Sequence, residues 1–464
     1  MSLVAKKVTA VKAESDEGVA ATLTAGDTIE TLSYPSMTPN LEALSRAVSG
    51  GSLTQASPVS ARQRASLEIP MELAGISTGV ATTPPTWAPF FDSAAMKRTA
   101  CKALKITGKS SGSGILAHDA TCTFSPSTAT ARLIGRLHYG YHVWAFFEPL
   151  TGTIAADDDT FTDGSSVITM SGSDNDLRDA IAWEPWDDNL GQIGIASVTG
   201  GGADAGDLLV GGTSGARAKC WKSLAGAGTL IFERWLGSPA FVSGEVISAT
   251  GGGTLTTNTG ETAYSFPTLT VANQLPGIQK QIVGGRANWQ INLENGSYAG
   301  LRFTVDGRLD QPTEVVPLAG PAKRGAKPPR VSGSSFKLNG QAVSCIKTLR
   351  IGSENTVALR ECLTEPSGYK SSLITARKIT GQIDPEAASE GFFPILGNAW
   401  NKTPFQLESI VGDVTAKNGN SFVIRGHEVT ATNFTDADRE GLAVHNIPLA
   451  FGGGTRDEFF LYAM

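Results

Sequence analysis

The sequence predicts a mainly β protein: a β-sandwich or barrel with one or two short flanking helices and an inserted small β-domain. Three observations predict it. Glycine is abundant, 53 of 464 residues, about one and a half times average usage, as many turns between short strands require. A hairpin of strict alternation lies past the middle of the chain. Between about 150 and 284 the texture changes to Gly, Asp and Ser with a turn signal every few residues.

The hairpin runs R-A-N-W-Q-I-N-L-E-N-G-S-Y-A-G-L-R-F-T-V-D from Arg286 to Asp306. Side chains on a strand change face at every residue. Trp289, Ile291, Leu293, Leu301, Phe303 and Val305 therefore share one dry face and point to a core. Asn288, Gln290, Asn292, Glu294, Arg302, Thr304 and Asp306 share the other, which is wholly polar. Asn295-Gly296 tolerates positive φ and turns the chain, in a loop longer than two residues. Such a face is either the solvent side of a sandwich or the wall of a water-filled tube.

At 464 residues the chain exceeds one ordinary domain. Hydrophobic residues make up 41% and charged residues 18%, enough apolar side chain for real cores. The net charge of −6 argues against a protein that grips nucleic acid through phosphates. Five scattered cysteines, with no CxxC or Cys/His ligand spacing, predict neither a zinc site nor a disulfide framework, but free buried thiols. No signal-peptide core and no run of 18 apolar residues is present, so a soluble protein made in a cytoplasm, without a membrane segment, is expected.

In chain order, strands are expected near Val8–Val11 and Thr28–Leu32. Residues 36–65 have no strand pattern and read as a long loop, an arm that docks on a neighbouring subunit. Leu67, Ile69, Met71 and Leu73 alternate with polar residues and form a strand, with Pro70 marking an unpaired edge. Trp87, Phe90, Phe91 and Ala94 have helical spacing, with Thr86 as the N-cap. Strands resume to about 150. In the insert, Gly206–Val210 and Gly244–Ser248 form a weak repeat 38 residues apart, predicting two small β-units packed on each other. After the hairpin comes a Pro-rich linker carrying Lys323, Arg324, Lys327 and Arg330. Asn339-Gly340 turns a second hairpin, and Asp384-Pro385-Glu386 is a helix-start pattern. Strands close the chain at 421–424, 442–451 and 458–462, the second preceded by a turn at Asp436-Ala437-Asp438.

No catalytic or metal constellation is found, and no cofactor is expected. Asp157-Asp158-Asp159, Asp163 and Asp174-Asn175-Asp176 lack EF-hand spacing and read as solvated turns. The five histidines show no HExxH pattern, and no nucleophile elbow or phosphate loop is present. Trp183 and Trp186 around Glu184-Pro185, followed by Asp187-Asp188, are the nearest approach to a sugar-binding shelf with an acid pair.

In order along the chain, V-K-A-E-S-D-E-G, L-E-I-P-M-E-L-A-G-I-S-T-G-V-A-T-T-P-P-T-W-A-P-F-F, the hairpin with L-R-I-G-S-E-N-T-V-A-L-R-E-C-L, and D-A-D-R-E-G-L-A-V-H-N-I-P-L-A-F-G-G-G-T-R-D-E-F-F-L resemble the tail tube (major tail) proteins of long-tailed bacteriophages. The resemblance covers residues 1–150 and 285–464, with 151–284 as an extra domain on the exterior. It implies a structural virion protein without catalysis, assembled in the host cytoplasm. Its subunits would form hexameric rings that stack into a tube, through which DNA slides without sequence-specific contact. The polar hairpin face would line the lumen, and the 36–65 loop would reach the adjacent ring. Terminator, tape measure and distal tail proteins would be partners. Two alternatives remain open: a neck or tail-terminator ring, and a β-rich carbohydrate-binding or adhesion protein acting through 151–284. A polysaccharide-degrading enzyme is a third.

Overall fold

The computed structural model describes residues 7–44, 58–75, 84–155, 157–170, 177–185, 190–204, 207–220, 224–234, 238–263, 266–321, 328–343, 345–387, 395–413, 420–453 and 458–464. They form 34 strands and two short α-helices, so the fold is mainly β. No helix among them is long and apolar enough to cross a membrane. The chain divides into two compact units. Residues 1–100, 180–185 and 266–464 form the first; 101–179 and 186–265 form the second. The division thus falls elsewhere than at 150 and 284. Alternation shows that a strand has a dry face, but not which core that face meets.

The first unit is built on an antiparallel sheet whose neighbours run Met37–Leu44, Val59–Glu72, Gly300–Leu309, Ile278–Glu294, Ile346–Ser353, Ile379–Pro385 and Leu442–Gly452. Leu67, Ile69 and Met71 lie opposite Val305, Phe303 and Leu301 across the strand pair. Trp289 faces Phe303 in the same way. All are buried. Each such side chain contributes roughly 1.5–3 kcal/mol by leaving water. Pro70 sits where Met37–Leu44 has already ended. Its carbonyl accepts from Leu32 N–H at 2.9 Å, so its missing donor points to a side with no strand neighbour.

The helix Ala88–Ser93 lays Phe90 and Phe91 on this core. Phe90 stacks on Phe303 at 4.6 Å and Phe91 on Trp289 at 5.0 Å. Trp87, not Thr86, occupies the N-cap, and makes no side-chain cap. Its indole is committed elsewhere, donating to the Ala74 carbonyl at 2.9 Å from within the core. The strand end 180–185 completes the unit: Ile181, Ala182 and Trp183 pair with Ala463, Tyr462 and Leu461.

The stretch 36–65 is not a structureless loop in its described parts. Met37–Leu44 and Val59–Glu72 pair antiparallel as a ribbon. The outer part of the ribbon, up to Arg64 of the second strand, lies away from a core, and Met37–Leu44 is exposed along most of its length. A strand that buries neither face needs no alternation, so periodicity gave no signal. Asp384-Pro385 ends a strand and starts no helix. The Asp384 carboxylate instead accepts from Lys347 and Thr348 N–H at 3.0 and 2.7 Å. The second helix is Ile395–Asn401. Asp436-Ala437-Asp438 lies in the strand Thr435–Arg439, and the turn comes at Glu440-Gly441, both with positive φ. Asn339-Gly340 turns its hairpin as expected, with φ of 48° and 78°.

The second unit contains two small closed barrels. In the first, pairings run from Met96–Ser111 to Trp144–Thr151, Thr130–Leu133, Thr121–Ser125, Thr160–Thr162 and Val167–Met170, and return to Met96–Ser111. Phe124, Phe147 and Phe161 fill its interior. In the second they run from Leu190–Thr199 to Gly228–Arg234, Arg217–Cys220, Leu208–Gly211, Val246–Ala249 and Thr254–Thr257, and return. Ile193, Leu209, Leu230, Phe232, Ile247 and Leu255 fill it. Closure gives each of the six ring strands a neighbour on both sides, which leaves the ring itself no open edge. The 38-residue repeat is therefore not two packed units. Its strands Leu208–Gly211 and Val246–Ala249 are neighbours in one barrel.

Candidate functional site: a polar sheet face in the first unit

The six predicted core-facing side chains of the central hairpin are at most 3% exposed. The opposite face carries the predicted polar set. Glu294 and Arg302 are exposed; Asn288, Gln290, Asn292, Thr304 and Asp306 are half-buried. Register extends this face across six strands. Thr304 lies opposite both Glu68 and Asn288, Asn292 opposite Arg350, Arg350 opposite Gln382, and Thr380 opposite Ala450. Arg350, Thr380 and Gln382 were not singled out in the sequence. Their signal is the same alternation, in L-R-I-G-S and I-T-G-Q-I, where Leu349, Ile351, Ile379 and Ile383 are buried.

The middle of the face is a depression of about 550 Å³, lined among others by Gln290, Arg302, Thr304, Arg350, Thr380 and Gln382. Two exposed ion pairs lie along it: Arg302 Nη1 to Glu68 Oε1 at 3.2 Å, and Lys378 Nζ to Glu354 Oε2 at 2.6 Å. Lys378 and then Thr380, both donating to Glu354, hold its carboxyl below the usual value. Glu68, Glu72, Glu294 and Asp306 share the face with Arg64, Arg302, Arg308 and Arg350, so charges of the two signs are balanced. Asn288 is less free than the alternation implies. Its Oδ1 accepts from Asn355 N–H at 2.8 Å and its Nδ2 donates to the Asn355 carbonyl at 3.1 Å, so it braces a turn. The arrangement offers many weak hydrogen-bonding groups and charges of both signs on a wide surface.

Met37–Leu44 borders this sheet. Among the described residues its outer edge has no strand partner. Leu41, Leu44 and Val59 on the ribbon are 63%, 61% and 48% exposed.

The other sequence candidates fall elsewhere. Trp183 is no sugar shelf: it is fully buried beside Trp87 at 4.7 Å, and Glu184 is fully buried as well. Trp186, Asp187 and Asp188 lie outside the described residues, as do Asp174-Asn175-Asp176, Gly206, Lys323, Arg324 and Lys327. Asp158 is not a solvated turn residue but is 3% exposed. Asp163 caps its own turn, accepting from Ser165 and Ser166 N–H at 2.9 Å each. All five cysteines are free; Cys101, Cys122 and Cys220 are buried, whereas Cys345 is exposed.

A scan against protein-family models and a search of curated proteins gave no match.

Proposed function

We propose that this chain is a structural subunit that assembles into rings and stacks them into a hollow tube, the tail tube of a long-tailed bacteriophage. The observation that carries the reading is the polar face that five adjacent strands of the first unit present, backed over its whole width by a buried apolar core. A lone sandwich needs only a wet outer face. A face this wide, with a depression at its centre and balanced charges in place of a basic patch, also suits the wall of a conduit that lets a polyanion slide. The unpartnered edge of Met37–Leu44 supports it from the side, since an open edge pairs readily with another chain. Six subunits per ring, the contacts with other tail proteins and the location in the virion follow from the sequence resemblance.

The test is negative-stain electron microscopy of the purified chain across a concentration series. Hollow tubes with a regular axial repeat are expected. Isolated rings at every concentration would favour a neck or terminator ring. Monomers throughout would count against assembly and turn attention to glycan binding by the second unit.

A further inference from the structure

The two barrels of the second unit share more than a strand count. Numbered along the chain within each barrel, the strands follow one circular order: first, fourth, third, second, fifth, sixth. Outside the rings, a small bridge links the connection after strand one to the connection after strand three. In the first barrel Leu116 pairs with Leu137, and in the second Ala203 pairs with Leu224. Both partners are displaced by 87 residues, from 116 to 203 and from 137 to 224.

The hairpin between strands two and three matches atom by atom. Phe124 N–H donates to the Ala129 carbonyl at 2.8 Å and Gly211 N–H to the Ala216 carbonyl at 2.9 Å. Thr128 N–H and Gly215 N–H each close the turn at 3.0 Å. Both have positive φ, 60° and 68°. Threonine at such a φ is uncommon, so something besides its own preference holds the turn. That something is a buried carboxylate. Asp158 accepts from Ser127 N–H and Oγ–H at 2.7 Å each, and from Ala155 N–H at 2.8 Å. Glu245 accepts from Ser214 N–H at 3.1 Å, from Ser214 Oγ–H at 2.9 Å and from Val242 N–H at 2.6 Å. Each serine oxygen in turn accepts from the alanine two residues on, at 3.3 Å from Ala129 and 3.1 Å from Ala216. Asp158 and Glu245, like Ser127 and Ser214, are again 87 residues apart.

We infer that the two barrels are copies of one duplicated module, in which a buried carboxylate before strand five clamps a Ser-x-Ala hairpin between strands two and three. Chance convergence on six strands would fix neither the ring order, nor the outer bridge, nor the same donors at the same spacing. Over 121–133 and 208–220 only the serine and two alanines are identical, Ser127, Ala129 and Ala131 against Ser214, Ala216 and Ala218. One difference between the copies is the connection from strand three to strand four. Leu133 and Phe147 are paired across it in the first copy, and Cys220 and Phe232 in the second, so the first connection is two residues longer. It carries His138 stacked on Tyr141 at 3.8 Å, and is one place where the module has diverged.

The test is hydrogen exchange on the full chain. Ser127→Ala and Asp158→Asn should speed exchange of the 121–133 amides by about tenfold and leave 208–220 unchanged. Ser214→Ala and Glu245→Gln should do the reverse. A second pair of variants exchanges the turns themselves. Replacing 125–129 by G-T-S-G-A, the residues of 212–216, keeps the serine in register with Asp158 and should preserve protection. The same graft moved by one residue, T-S-G-A-R, should lose it. Unchanged exchange at 208–220 in the Ser214 and Glu245 variants would overturn the shared clamp. So would equal protection in the two grafts.

Discussion

Asp92 is the side chain whose environment most clearly sets a measurable property. It sits on the helix Ala88–Ser93 in the first unit, and burial lifts its carboxyl to about 7. Arg98 at 3.4 Å and the Trp183 indole pull the other way without prevailing. A carboxyl raised in the folded state binds its proton there while the unfolded chain has released it. Stability therefore falls as pH rises from the ordinary carboxyl range to about 7, by on the order of 1 kcal/mol per pH unit. Asp92→Asn removes this slope. Melting temperatures of the two proteins should diverge from pH 5 to pH 8, with the variant the more stable; parallel curves would mean that Asp92 is ionised in the fold. Trp289 is the opposite kind of residue, legible from alternation and silent to pH. Its ring lies 4.7 Å from Phe459 and 5.0 Å from Phe91. Trp289→Ala should cost about 3–5 kcal/mol of unfolding free energy in urea, and a loss under 1 kcal/mol would show that the neighbouring rings collapse into the gap.

Among elements, the ribbon of Met37–Leu44 and Val59–Glu72 separates stability from assembly. Leu41 and Leu44 are exposed and pack no core, so Leu41→Asp with Leu44→Asp should change monomer stability by no more than about 0.5 kcal/mol. If the open edge joins subunits, the same variant should fail to form tubes at concentrations where the wild type does. Tubes of normal length would remove the ribbon from the interface. The ribbon also shows what a sequence conceals. Wherever a strand separates a core from water, as in Leu67–Leu73 or Trp289–Leu293, the period of two is written in the residues. Met37–Leu44 separates water from water and carries no such period. The barrels illustrate a second limit. Their strands were visible, but the ring order depends on which edges meet, and the repeat of 87 residues rests on main-chain donors with only a serine and two alanines in common. The polar face was half legible: the hairpin gave its middle, while Arg350, Thr380 and Gln382 joined it only through register. If this face lines a lumen, as proposed, its charge is testable there. Asn292→Lys with Thr304→Lys should slow DNA ejection from assembled particles more than it lowers tube yield. Failure to fold would instead remove that face from the lumen.

For the whole molecule, the unit boundaries decide what can be removed. A single cut of 152–283 would slice the first barrel and take away the strand Leu269–Leu275, which pairs with both Val8–Ala13 and Ile278–Glu294. It would also remove Ile181 and Trp183 from the main core. That deletion should give insoluble protein. Two separate excisions avoid this, because each barrel begins and ends at one place. Lys102 Nζ donates to Asp179 Oδ1 at 2.5 Å, joining the ends of the first. Gly191 pairs with Ala263 at the ends of the second. Replacing 103–178 and 190–263 each by a short Gly-Ser linker, with 180–185 retained, should leave the first unit folded, since adjacent ends are what make an inserted domain removable. Circular dichroism and a cooperative melt would establish folding, and microscopy would then separate the roles. Tubes of the same diameter from the doubly excised chain would make the barrels an addition to the wall-forming unit. A folded but non-assembling chain would give the barrels a part in the ring contacts, and an unfolded one would refute the independence of the first unit on which the tube proposal is built.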